Sequence, residues 1–189
     1  MKRTKRLLAL LAVAASSASL LAVQAAVAQD NPIDALTPVT DEMLIDPPDG
    51  DWLMWRRTYD GWGYSPLEEI NRDNVGDLQL AWAWGMSPGG RSQETPLVHD
   101  GILYLQNSSH LIQALDGATG DLIWEYEYEL PDDVNPSGER SKAIYDDKLI
   151  IATRDAHLIA LDAKTGQLIW DKQVANYEHG FAFSSGPLV

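Results

Sequence analysis

Three residues of different chemistry stand at nearly even spacing ahead of short apolar runs. Glu94 lies two residues before Pro-Leu-Val at 96–98, Arg140 two before Lys-Ala-Ile-Tyr at 142–145, and Ser185 two before a second Pro-Leu-Val at 187–189, so the offsets are 46 and 45 residues. A guanidinium binds planar anions through two parallel hydrogen bonds, a carboxylate accepts donors, and a hydroxyl does both. Gathered at one mouth, they would hold a polar, anionic ligand. The competing reading is a Glu94–Arg140 salt bridge that holds nothing. Either reading requires the chain to return to one place every 46 residues or so.

The surrounding sequence does so. "ALDGATGDLIW" at 114–124 returns as "ALDAKTGQLIW" at 160–170 with eight of eleven positions identical, and "DGILYL" from Asp100 returns as "DDKLII" from Asp146, again 46 residues on. Each unit reads as short period-2 strands separated by turn residues, the last strand carrying a tryptophan. A repeat of this length built of antiparallel strands predicts an all-β fold, a β-propeller of four-stranded antiparallel blades. Asp116 and Asp162 are placed to accept backbone N–H bonds and close a turn, and Gly120 and Gly166 to supply positive φ at its end. Trp124 and Trp170 then enter the next strand where a ring can lie flat between neighbouring sheets. On a propeller, equivalent positions form a ring about the axis, so Glu94, Arg140 and Ser185 converge on one end of the central channel. The only helix expected is a short one from Ser65.

Composition sets limits. Of 189 residues, 45% are hydrophobic and 22% charged, which suits a chain with a real core. The opening "MKRTKR", the apolar run after it and "AVA" at 26–28 read as a secretory signal over residues 1–28, leaving 29–189 as the mature region. An uncleaved anchor is the alternative, disfavoured by the Ala and Ser content of the run and by the polar "QDNP" that follows. Without the leader, 10 cations face 28 acids, a net charge of −18. Nucleic acid is thereby excluded as a partner. No later segment is apolar enough to span a membrane, and with no cysteine there is no disulfide, thiolate site or lipidated cysteine. His99, His110, His157 and His179 show no shared metal spacing. His110 and His157 fall at nearly equivalent places in the repeat, which favours structural roles, while His179, six residues before Ser185, could approach the ring.

The Ala-x-Asp-x-x-Thr-Gly-x-x-x-Trp element resembles the tryptophan-docking motif of the eight-bladed quinoprotein dehydrogenases of the methanol and ethanol dehydrogenase type, which use pyrroloquinoline quinone (PQQ). The stretch "WLMWRRTYDGWGYSPLEEINRDNVGDLQLAWAW" from Trp52 to Trp84 resembles the segment by which those enzymes open, and "ETPLVHDGILY" from Glu94 matches in order.

This resemblance implies an exported dehydrogenase that oxidises a small alcohol by hydride transfer to PQQ, beside a calcium or lanthanide ion, and passes electrons to a cytochrome c in the periplasm. It implies that Glu94, Arg140 and Ser185 contact the carboxylates and carbonyls of PQQ. The family's metal ligands and catalytic aspartate match no position in this chain, which reads as roughly the first third of a longer protein, so these residues alone are expected to be inactive. Two departures stand out. The vicinal cysteine pair found ahead of that arginine in the methanol dehydrogenase type is replaced by Val134 and Asn135, and "GERSK" stands where "NRG" is usual. The alternative is a non-catalytic envelope propeller that binds other proteins, which would leave the Glu94, Arg140 and Ser185 ring unexplained.

Overall fold

Asp100-Gly101 is a two-residue turn in which both residues have positive φ, 49° and 79°, the mirror-image geometry that matches the twist of the strands it joins. It connects β1 (Leu97–His99) to β2 (Ile102–Asn107), which continues antiparallel through β3 (Leu111–Asp116) to β4 (Leu122–Glu127). A second four-stranded antiparallel sheet follows in the same order: β5 (Lys142–Tyr145), β6 (Lys148–Ala152), β7 (His157–Asp162) and β8 (Leu168–Gln173). The computed structural model describes residues 31–86, 93–107, 110–135, 140 and 142–189. The expected leader lies outside the described residues.

The 46-residue repeat is conformational as well as sequential. β3 and β7, and β4 and β8, begin and end 46 residues apart, and the register slips at Ala114/Leu115 and again at Ala160/Leu161. Positive φ recurs at Asp100 and Asp146, at His110 and Ala156, and at Gly120 and Gly166. The equivalence of His110 and His157 is accordingly near and not exact. The position matching His110 is Ala156, because what repeats there is a left-handed backbone and not a side chain. His157 begins β7 and bonds Asp171 through Nδ1 at 2.6 Å.

Two other expectations change. Pro187–Val189 forms no strand, with no ladder partner beside it among the described residues, and the helix anticipated from Ser65 is reduced to a 3-10 turn at Val75–Asp77. The sequence reading also missed a helix, α1 (Asp41–Ile45), capped by Thr40, whose Oγ1 accepts from Met43 N.

The sheets meet face to face over Tyr104, Ile112 and Trp124 on one side and Ile144, Leu149, Ile159 and Leu161 on the other, all buried. Trp124 Nε1 and Tyr104 Oη both donate to Ala163 O, at 3.1 and 3.0 Å, so the polar ends of the two rings are satisfied across the interface. An N-terminal strap, residues 31–55, binds both sheets. Val39 exchanges two backbone hydrogen bonds with Asp146, Trp52 does the same with Val98, and Ile33, Val39, Leu44, Leu53 and Met54 enter the shared core.

Candidate functional site

Each sheet is entered through a segment that precedes its first strand, and these two segments lie side by side: Thr95 N donates to Arg140 O at 3.2 Å. The first carries Gln93 and Glu94, the second Arg140 and Lys142. Between them, the strap and the last residues lies a cleft of about 540 Å³, lined by Leu53, Met54, Trp55, Gln93, Arg140, Lys142, Ala143 and residues 185–189. That volume falls within the ~300–1,000 Å³ range of small-molecule sites.

Of the three residues expected to converge, Arg140 and Ser185 line this cleft and are exposed in it. Arg140 Nε donates to Gln93 Oε1 at 3.1 Å, which holds the guanidinium at the wall. Glu94 sits beneath the wall. Its side chain is 2% exposed, and its carboxylate pairs with the fully buried ammonium of Lys142. The ion pair considered between Glu94 and Arg140 is thus replaced by Glu94–Lys142. Burial pushes the Lys142 ammonium well below the ordinary lysine range. His179 ends a 3-10 turn and is exposed, away from the cleft lining.

Sequence reasoning missed Lys142 and Gln93. Gln93 had a signal, adjacency to Glu94. Lys142 looked like the polar start of a strand, and its burial emerges only when Glu94 is placed opposite.

The turns that shape the sheets follow the motif residue by residue. Asp116 Oδ1 accepts from Ala118 N and Thr119 N, at 2.7 and 3.1 Å, and Asp162 Oδ1 from Lys164 N and Thr165 N, at 3.0 and 2.8 Å. Gly120 and Gly166 turn at φ 78° and 71°. Trp124, 9% exposed, lies over Gly166. Trp82 lies over Gly120 in the same way, its Nε1 donating to Gly117 O at 3.1 Å, a docking partner missed because it lacks the Asp-x-x-Thr-Gly prefix. Trp170 pairs Ala160 as Trp124 pairs Ala114, but is 37% exposed, with no third sheet among the described residues to cover it.

A second cluster ties the strap to β1. Buried His99 contacts Asp51 Oδ2 through Nδ1 at 2.7 Å and Thr37 O through Nε2 at 2.8 Å, while Asp100 N donates to Asp51 Oδ1 at 3.1 Å. Burial disfavours the imidazolium, but Asp51, Thr37 O and Asp100 together outweigh it and raise the His99 pKa above its ordinary value.

The family model described as "PQQ: Glucose/ethanol/alcohol dehydrogenase, beta-propeller domain" matches residues 52–173. The chain belongs to this PQQ β-propeller family. The alcohol dehydrogenase (quinone), dehydrogenase subunit, of Gluconobacter oxydans is 40% identical over 160 residues, 82% of this chain and 20% of that protein. The 1-butanol dehydrogenase (quinone) of Thauera butanivorans is 37% identical over 178 residues, 89% of this chain and 28% of that protein. Among solved structures, a quinohemoprotein alcohol dehydrogenase from Pseudomonas putida HK5 matches with a TM-score of 0.73 and 31% identity, over 82% of this chain and 24% of that one. A europium-containing methanol dehydrogenase gives 0.71 and 28%, over 79% and 28%. This PQQ-family chain therefore spans between 20% and 28% of the length of these relatives. Its two sheets are neighbouring blades of the propeller.

The cleft suits the family's ligand. A flat tricarboxylic quinone needs cations for its carboxylates and apolar surface for its ring faces. Arg140 provides the first, with Lys142 behind it neutralising Glu94, and Leu53, Met54 and Trp55 the second.

Proposed function

We propose that this chain is the PQQ-holding N-terminal part of an exported, PQQ-dependent alcohol dehydrogenase acting on a small alcohol. The observation that carries the proposal is the cleft in which Arg140 and Ser185, 45 residues apart, share a wall with Lys142 and an apolar face. Arg140 binds a carboxylate of the cofactor, Ser185 donates to or accepts from a neighbouring oxygen, and Glu94 closes the floor. Gln93 fixes the guanidinium, and the Leu53-Met54-Trp55 stretch covers one side and keeps water from it. Bound PQQ supplies the two-electron acceptor for the oxidation.

Asp116, Gly120 and Trp124, with Asp162, Gly166 and Trp170, act as blade-docking residues that keep the wall in place. A calcium or lanthanide ion and a cytochrome c acceptor complete the reading, supported by the family relationship and, for lanthanides, by the similarity to a europium-containing enzyme. No position in this chain is assigned as a metal ligand. The leader over residues 1–28 supports a periplasmic location, and no helix among the described residues is long and apolar enough to cross a membrane.

The test is the melting shift of the intact apoprotein on adding PQQ. The parent should gain stability. Arg140→Ala should stay folded but bind PQQ roughly ten- to a hundredfold more weakly, the effect of losing a charge-assisted hydrogen bond. An Arg140→Ala protein stabilised by PQQ as much as the parent would remove Arg140 from the site.

A further inference from the structure

Behind the cleft wall lies an electrostatic conflict together with its resolution. Glu94 lies beneath the cleft wall, behind the lining residue Lys142, and a buried carboxylate left without a counter-charge there would repel an anionic ligand in the cleft. Yet Glu94 is not alone. Lys142 is the first residue of β5, its side chain is completely buried, its Nζ pairs with the Glu94 carboxylate and donates to Thr95 O at 3.4 Å, and it lines the same cleft as Arg140. Lys142 and Arg140 are two residues apart, the separation that places side chains on one side of an extended chain.

We infer that Lys142 is a positioning residue of the quinone site: by pairing with Glu94 it cancels the charge that would repel an anionic ligand and fixes the Glu94 carboxylate beneath the cleft wall. The inference rests on the PQQ reading above and extends it to a residue outside the recognised motif. Counting formal charge, Glu94, Lys142 and Arg140 present one net positive charge. Removing Lys142 leaves zero, removing the charge of Glu94 leaves two, and removing both restores one.

That count makes an ordered forecast for PQQ affinity, measured by titrating intact apoprotein and by its melting shift. Lys142→Met should bind PQQ about tenfold more weakly than the parent, the scale expected when one close charge is left uncompensated. Glu94→Gln should bind as tightly as the parent or tighter. The double variant Lys142→Met/Glu94→Gln should return to within a few-fold of the parent, and the differences should shrink in high salt. A merely structural pair would lower the apoprotein melting temperature in both single variants and leave the affinity of the folded fraction unchanged.

If the parent itself does not bind PQQ, the functional reading fails. If the parent binds and Lys142→Met binds equally well, the inference fails while that reading stands. Should Lys142→Met not fold, the double variant decides, because it leaves no unpaired buried charge: binding like the parent supports charge cancellation, and a loss beyond tenfold overturns it.

Discussion

Gly166 lies so close beneath the ring of Trp124 that a Cβ placed on it would be 2.6 Å from Cε3, and Gly120 stands in the same relation to Trp82. The glycine is needed twice over, for positive φ and for the space the indole occupies. Gly166→Ala should therefore destabilise the protein by more than the ~1–2 kcal/mol of a left-handed backbone alone. Gly50→Ala, where nothing lies within 4 Å, is the control. Comparable melting of the two variants would show that the ring is not seated on Gly166.

Trp124→Ala should cost ~3–5 kcal/mol, the range for emptying a buried aromatic site. In that background Gly166→Ala should lose its steric part and retain only the backbone part, so the two changes should be non-additive. Additive losses would argue against docking.

Trp170 tests the neighbouring surface. At 37% exposure its ring is uncovered by the residues described. In the intact protein Trp170→Ala should approach the cost of Trp124→Ala if a further blade lies against β8, and should be nearly silent if none does. Denaturant unfolding of both variants separates these outcomes.

The clasp at His99 predicts a pH dependence. Asp51 and Thr37 O are both acceptors, so the geometry is fully satisfied when both ring nitrogens carry protons. The folded pKa is raised, so this stabilisation is complete below the ordinary value of about 6.5 and is lost as pH rises through the folded value. Asp51 and Asp100 are the titratable groups facing the ring. The stability gap between the parent and Asp51→Asn should narrow from pH 6 to pH 9, and a constant gap would show that His99 does not titrate there.

The blades were legible in the sequence because their devices are local. Asp116 reaches N–H groups two and three residues away, and Gly166 turns its own backbone, so each leaves a mark at fixed spacing. Arg140 and Ser185 could be placed at the cleft by register alone. The pairing of Glu94 could not, since Lys142 as a buried counter-charge depends on two chain segments 48 residues apart meeting with a particular depth. Trp82 escaped because it arrives without the turn that announces Trp124. The strap escaped altogether, because its partners lie in both blades and it follows no period.

That strap has a consequence for the order in which the protein assembles. Val39 finds its partner 107 residues further along and Trp52 finds its partner 46 residues further along, whereas within each sheet strands pair with their neighbours in sequence. A segment made first is therefore finished last: it has nothing to rest on until both sheets exist, and closing so long a loop before then costs entropy with no contact in return. Pulse-labelled exchange during refolding should protect the amide of Ile112, inside β3, before that of Val39. Anything that captured residues 31–55 in the interval would keep the cleft wall at Leu53–Trp55 open, so the segment made ahead of both sheets doubles as the latch that closes the site.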